Sequence, residues 1–174
     1  MISALSPDAD QYLLLRLGTR RCALPRAVVR EILPLPRLWR PPGLPRPLAG
    51  FMNLGGHALP VLDLVRLFGL EAEGAGGEAA LYRHVVLTSA PAEGERFGLL
   101  VDRVLDLVNI PSAQLRPIPP ESTLNDCAVA EIETPEGFVH LLDPGRLLLE
   151  GERARLAALR QGAQARLAEW EAPG

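Results

Sequence analysis

The sequence predicts a mainly β protein that ends in one α-helix. Many short apolar runs separated by turn residues fill the middle of the chain, a pattern typical of small β-barrels or a β-sandwich. Residues 151–174 instead repeat apolar side chains at spacings of three and four, as an amphipathic helix does. With 174 residues, 48% of them hydrophobic and 22% charged, the chain can bury a core as one domain or as two closely packed small ones.

The first two strands are predicted as a hairpin in YLLLRLGTRRCALP, around a turn at Gly18 and Thr19. The next segment, RAVVREIL, places Val28, Val29 and Ile32 at helical spacing. Because this segment is short, we expect no more than one or two helical turns there.

A proline-rich segment follows at residues 34–47, PLPRLWRPPGLPRP, with six prolines in fourteen positions. Proline fixes φ and donates no backbone hydrogen bond. The segment is therefore expected to be extended surface chain rather than a helix or a central strand. Trp39 within it needs some burial, so we expect the segment to lie against the core.

A second hairpin is predicted in GFMNL and HALPVLDL, joined through Gly55 and Gly56, because this glycine pair tolerates positive φ. Residues 67–81, LFGLEAEGAGGEAAL, show no periodicity and are expected to form a mobile loop or a subdomain boundary. Beyond them, YRHVVLTSA is rich in β-branched residues and predicts a strand, and APAEGE predicts a turn.

Two later segments complete the predicted β structure. RFGLLVDRVLDLVNIP fits a helical face as well as buried strands, but Gly98, the valines and the final Asn-Ile-Pro favour strands. AVAEIETPEGFVHLLD predicts a hairpin that turns at residues 135–137. The closing helix carries a narrow apolar stripe suited to docking on a core or on a partner helix, formed by Leu156, Leu159, Ala163, Leu167 and Trp170.

The composition argues against several classes of partner. The net charge is −3, the arginines are scattered, and the few aromatic residues are not interleaved with them, so we expect no nucleic-acid partner. No run approaches the ~18 apolar residues that span a bilayer, and the N-terminus lacks the regions of a signal peptide. We therefore expect a cytoplasmic protein without direct membrane contact, whose Cys22 and Cys127 are buried thiols.

The candidate catalytic residues are few. The three histidines are isolated in sequence, no serine lies in GxSxG, and GFMNLGG has neither the spacing of a phosphate loop nor a following lysine. We therefore expect no catalytic residue, metal or cofactor. Asp63, Asp102 and Asp143 each follow an apolar run, where a strand-end aspartate usually accepts hydrogen bonds from a turn. The alternative is a hydrolase that uses Asp63 or Asp102 with a histidine.

Four segments in order resemble the CheW family, the coupling proteins of bacterial chemosensory arrays. LAGFMNLGGHALPVLDL is similar to the family's G-x-x-N-L-R-G-x-x-x-P-V-x-D-L signature. FGLLVDRVLDLVNIP resembles the G-x-x-V-D-x-V segment of the second barrel, and HLLDPGRLL resembles the closing strand. YLLLRLGTRRCALPRAVVREI resembles the opening strands, so the likeness covers roughly residues 11–150.

This resemblance implies two five-stranded SH3-like β-barrels packed side by side. The first barrel is expected at about residues 10–70 with 143–150, and the second at about 80–142. Residues 151–174 would form the C-terminal helix and tail.

The resemblance further implies a non-catalytic adaptor that links the cytoplasmic tip of a chemoreceptor to a CheA-type histidine kinase. Val29, Phe51 and Leu54 would supply apolar contacts, Gly50 would let the receptor approach, and Asn53 would pin the turn. The whole receptor-binding set would line or support the groove between the barrels: Val28, Val29, Glu31, Ile32, Gly50, Phe51, Asn53, Leu54 and Gly55. The kinase-binding set, whose side chains could equally be barrel core, comprises Gly98, Val101, Asp102 and Val104.

One position departs from the family pattern. Gly55 stands where the family usually has an arginine that pairs with the glutamate matching Glu31. An exposed ion pair contributes only about 0–1 kcal/mol, so the fold should tolerate its absence, whereas partner choice should change. This departure indicates a divergent or accessory coupling protein. The other open possibility is a stand-alone regulatory module that binds a small ligand or another protein.

Overall fold

The computed structural model describes residues 9–71, 81–89, 96–118 and 127–171, which contain eleven strands in two sheets. The predicted turn at 90–95 lies outside the described residues, as does most of the segment predicted to be a mobile loop, at 72–80.

The larger sheet has six strands in the order β8-β1-β2-β11-β10-β9. The pairing of β2 with β11 is parallel and the other ladders are antiparallel. These strands are β1 (Ala9–Leu17), β2 (Arg20–Pro25), β8 (Arg103–Pro111), β9 (Leu115–Pro117), β10 (Ala128–Thr134) and β11 (Gly137–Leu142).

The smaller sheet has five strands in the order β3-β6-β7-β5-β4, and only β5 and β7 pair in parallel. Its strands are β3 (Val29–Pro34), β4 (Leu48–Leu54), β5 (His57–Asp63), β6 (His84–Thr88) and β7 (Gly98–Val101). Two helices accompany the sheets in the described part of the chain: α1 spans Leu64–Leu67 and α2 spans Glu150–Glu171.

The mainly β fold with a C-terminal helix is confirmed, and the two sheets draw on other parts of the chain than the two predicted barrels. Residues 9–25 join 103–142 in the six-stranded sheet, while 29–101 supply the five-stranded one. The reason is that both free edges of the first hairpin are filled by late strands, β8 beside β1 and β11 beside β2. In neither sheet do the first and last of the described strands pair with each other, so the sheets are open rather than closed barrels.

Both predicted glycine hairpins are present. The second turns through Gly55 and Gly56 with φ of 59° and 87°, the positive pair that a two-residue hairpin loop needs. The helical interpretation of RAVVREIL was mostly wrong. A single 3-10 turn covers Arg26–Val28, and the following residues form β3 because they pair with β6.

The proline-rich segment lies against the core, as predicted. Trp39 and Phe51 exchange two backbone hydrogen bonds of 2.8 and 2.9 Å, and their rings lie 5.9 Å apart. Gly50 makes this approach possible, because a Cβ there would sit 2.7 Å from the Trp39 carbonyl oxygen. The indole of Trp39 nevertheless stays 42% exposed.

One hydrophobic cluster joins the two sheets and α2. It contains Leu15 and Leu24 from the larger sheet, Leu99 and Val101 from the smaller sheet, and Ala163 from the helix. Since this cluster is shared, the two sheets form one packed unit rather than two independent barrels. Each sheet also has a smaller cluster of its own.

The two cysteines lie in this shared cluster as buried thiols, as predicted. Burial, with a smaller contribution from the neighbouring Cys127, raises the pKa of Cys22 to about 12. The thiol is therefore neutral at physiological pH and a poor nucleophile.

The closing helix docks through a narrow stripe. Leu156, Leu159 and Leu167 pack beside Ala163 on the shared cluster, whereas Trp170 is 85% exposed. Trp170, which the sequence places in the docking stripe, therefore does not pack on the core. No helix in the described ranges combines the length and the apolar character needed to cross a membrane.

Candidate functional site

The predicted receptor-binding residues do not form one continuous surface. Val29, Gly50 and Phe51 are buried, which corrects their expected role as contacts. The space over Gly50 in particular is filled by this chain's own Trp39 rather than left open for a partner. The remaining six are exposed or half-buried: Val28, Glu31, Ile32, Asn53, Leu54 and Gly55.

A cleft of about 200 Å³ brings two members of the set together, Glu31 on β3 and Leu54 at the end of β4. These strands are the opposite edges of the five-stranded sheet, and residues of β5 and β6 between them line the same cleft. The residues of this β3 cleft used below are Arg30, Glu31, Leu54, Leu87, Arg96 and Phe97.

Positive charge reaches the β3 cleft from positions that the sequence analysis did not single out. Arg30 and Arg96 line the same cavity as Glu31, while Gly55 offers no side chain. Phe97 adds apolar surface beside Leu54. The tertiary structure alone brings residues 30–31, 54 and 96–97 to one cleft, so no local sequence pattern could have grouped them.

Two other members, Phe51 and Asn53, face a separate cleft of about 390 Å³. This tryptophan cleft is formed by Trp39, Phe51, Met52, Asn53, Arg166 and Trp170, with Arg166 positioned 6.0 Å from the ring of Trp39. The sequence analysis did not predict that α2 lines this cleft, since no sequence pattern connects residue 39 with residues 166–170.

The turn between the two clefts is held rigidly. The side-chain oxygen of Asn53 accepts a 2.8 Å hydrogen bond from the Gly56 N–H, which confirms that Asn53 pins the turn. Gln164 of α2 clamps the same strand edge. Its Oε1 accepts from the Ala58 N–H at 2.8 Å, and its Nε2 donates to the Gly56 carbonyl at 3.0 Å.

The predicted kinase-binding residues are mostly interior. Val101 is fully buried, and a Cβ at Gly98 would lie 2.6 Å from a methyl group of Val85. Neither residue can present a side chain to a partner, so this part of the prediction is corrected. Val104 is half-buried against the shared cluster, and Asp102 is partly exposed.

Asp102 lies where the chain leaves β7 for β8 and thus crosses from one sheet to the other. Its Oδ2 accepts a 2.7 Å hydrogen bond from the Gly18 N–H in the β1–β2 turn. Its own N–H donates to the Arg16 carbonyl at 3.1 Å. Its Oδ1 lies 3.4 Å from Arg83 Nε, an ion-pair distance without the alignment of a hydrogen bond.

Arg83 connects this crossover to a second aspartate. Its Nη2 donates to Asp63 Oδ2 at 3.0 Å, and Asp63 Oδ1 accepts from the Arg66 N–H at 3.2 Å, capping α1. Asp63 is only 2% exposed. The two carboxylates considered for hydrolysis are therefore engaged by Arg83 and by backbone N–H groups, an arrangement that supports a structural role.

The histidines and the other potential ligands do not add a chemical centre. His84 Nδ1 lies 2.8 Å from the Tyr82 carbonyl, and His140 Nε2 lies 3.8 Å from a Glu131 carboxylate oxygen. Within the part of the chain that the structure describes, no three of the His, Cys, Asp and Glu side chains are grouped so that they could hold a metal ion.

Comparison with known proteins shows that this chain is similar in sequence to CheW proteins. The family model described as "CheW-like domain" matches residues 11–152. "Chemotaxis protein CheW" of Rhizobium meliloti (strain 1021) is 29% identical over 119 residues, covering 66% of this chain and 70% of that protein. "Probable chemotaxis protein CheW" of Rhizobium etli is 28% identical over 122 residues, covering 68% and 72%.

A solved structure shares the fold. The crystal structure of the scaffolding protein TtCheW from Thermoanaerobacter tengcongensis matches with a TM-score of 0.72 at 21% identity. The match covers 87% of this chain and 96% of that one.

Because Asp102 belongs to this structural network, we predict that its substitution lowers the stability of the protein rather than its affinity for a partner. We expect Asp102→Ala to lower the free energy of unfolding by about 2–3 kcal/mol, because a hydrogen bond to a charged group and one of the two carboxylate partners of Arg83 are both lost. Asp106→Ala is the matched control, since Asp106 is exposed and accepts from the adjacent Leu107 N–H. Urea denaturation measures both variants, and equal midpoints for the two would contradict the structural role.

Proposed function

We propose that this chain, which belongs to the CheW-like domain family, is a non-catalytic scaffold that links chemoreceptor tips to a CheA-type histidine kinase in the cytoplasm. The observation that carries the proposal is that the family match spans both sheets and the start of α2. The pairing of Asp63 and Asp102 with Arg83 favours a scaffold over a carboxylate-dependent hydrolase.

The β3 cleft is the proposed receptor-docking surface. Leu54 and Phe97 offer apolar area, while Glu31 is flanked by Arg30 and Arg96. Such a surface fits an amphipathic helix whose apolar stripe is bordered by charges of both signs. Glu31, Ile32 and Leu54 are the accessible residues of the expected set that would make these contacts, and Val28 and Asn53 would support them.

The kinase-facing surface is proposed to lie near the β7–β8 crossover, where Asp102 and Val104 reach the surface in part. Because Asp102 also holds the crossover together, the accessible neighbours of Val104 are the better candidates for direct contact. Leu105 and Arg103 are both exposed there.

A titration with the regulatory domain of a CheA-type kinase from the same organism tests the coupling role. We expect saturable binding with a micromolar dissociation constant, measured by calorimetry. Circular dichroism and cooperative urea unfolding establish that the titrated protein is folded. Absence of saturable binding by folded protein would remove the coupling function.

Reversing the charge of Glu31 should weaken receptor binding selectively. We expect Glu31→Arg to reduce affinity for a receptor-tip fragment at least tenfold, because three like charges would then line the β3 cleft. Glu133→Arg is the matched control, an exposed strand glutamate in the other sheet. Surface plasmon resonance against the same fragment compares them, and an equal effect of both substitutions would exclude the β3 cleft as the docking surface.

Restoring the family's arginine should broaden receptor choice. We expect Gly55→Arg to bind more of a panel of receptor-tip fragments than the native chain does. Both Gly55→Arg and the uncharged control Gly55→Gln should lose about 1–2 kcal/mol of stability, because φ is 59° at this position. A pull-down in which the arginine and glutamine variants capture the same fragments would show that the missing charge does not set specificity.

A further inference from the structure

A third cleft, on the side of α2 that faces Pro60, carries a concentration of positive charge. It has a volume of about 370 Å³, within the range of small-molecule sites. Arg96 reaches it from the segment before β7, and Arg153 and Arg160 reach it from α2. We call this the arginine cleft, defined by Pro60, Arg96, Phe97, Arg153, Leu156 and Arg160.

The charge of this cleft is opposite to that of the chain. Three arginines and one carboxylate, Glu150, give its lining a net charge of +2, whereas the whole sequence carries −3. Guanidinium groups stay protonated at all physiological pH values, so their mutual repulsion cannot be relieved by loss of a proton. A bound anion would relieve it.

One of the three guanidinium groups is already fixed in place. Arg153 donates from Nε to the Leu148 carbonyl at 3.4 Å and from an Nη to the Gly145 carbonyl. A guanidinium has five N–H donors, so the remaining ones can still serve a ligand. A donor held in advance loses less conformational entropy when it binds an anion.

The floor of the cleft is apolar. Pro60 is buried, and Phe97 and Leu156 are half-buried. An inorganic anion would use only the arginines, whereas a ligand that joins phosphate groups to a flat apolar ring system would use the floor as well.

We propose that the arginine cleft binds a small, soluble phosphorylated ligand of the nucleotide type. The phosphates contact Arg96, Arg153 and Arg160, and the ring system lies over Phe97 and Pro60. This inference is independent of the proposed coupling function, because it rests only on the charge and shape of the cleft.

The position of the cleft gives the ligand a route to regulation. Arg96 and Phe97 line both the arginine cleft and the β3 cleft. A phosphate that draws Arg96 towards α2 would remove positive charge from beside Glu31. Ligand binding would therefore change the electrostatics of the surface that we assign to the receptor.

Calorimetric titration of the full chain with inorganic pyrophosphate, ADP and GDP tests the proposal. We expect saturable one-to-one binding of all three, with the nucleotides at least tenfold tighter than pyrophosphate. The double variant Arg96→Gln/Arg160→Gln should lose at least tenfold in affinity for each probe. The double variant Arg20→Gln/Arg116→Gln, with the same charge change on the six-stranded sheet, should bind as the native chain does.

Three results would overturn the assignment. Equal losses in the two double variants would mean that only overall charge matters. Equal affinity for pyrophosphate and ADP would exclude the apolar floor as part of the site. Sedimentation with phosphatidylglycerol vesicles, together with no binding of the soluble probes, would mean that the arginines meet a lipid headgroup instead.

Discussion

The contacts of Arg83 with Asp63 and Asp102 hold together the point at which the chain passes between its two sheets. Asp102 also accepts from the Gly18 N–H, so the first hairpin, the β7–β8 crossover and the end of β5 meet in one polar network. Asp63 is almost completely buried, and removal of Arg83 would leave the more exposed Arg66, 3.5 Å away, to balance its charge. The relative placement of the sheets depends on this network.

The hydrophobic cluster shared by the sheets and α2 also holds the two sheets together, through apolar contacts. Leucines from β1, β2 and β7 pack together with Ala163, and Gln164 next to it fixes the edge of β5. As a result, most of the residues that line the clefts lie on strands or on α2. A scaffold protein needs such rigidity, because its function is to hold partners at fixed relative positions rather than to carry out a reaction.

The tryptophan, β3 and arginine clefts differ in chemistry, and this difference suggests a division of labour. The tryptophan cleft is mainly apolar, the β3 cleft carries charges of both signs, and the arginine cleft is positive. Two of them share Arg96 and Phe97, so an event in one changes the surface of the other. Gly55 does not leave the β3 cleft without positive charge, since Arg30 on β3 and Arg96 in the segment before β7 provide it.

The sequence by itself determined the β class, the hairpins at Gly18-Thr19 and Gly55-Gly56, the role of Asn53 in its turn and the helix at the end of the chain. Each of these depends on contacts between residues close in sequence, so turn chemistry and periodicity were sufficient. Only the tertiary structure decided that β8 and β11 flank the first hairpin, and that Gly50 accommodates Trp39 rather than a partner. It also decided that Gly98 and Val101 are buried and that Arg96 lines the same cleft as Glu31. Those outcomes depend on strand pairing and packing between distant segments, which no local pattern encodes.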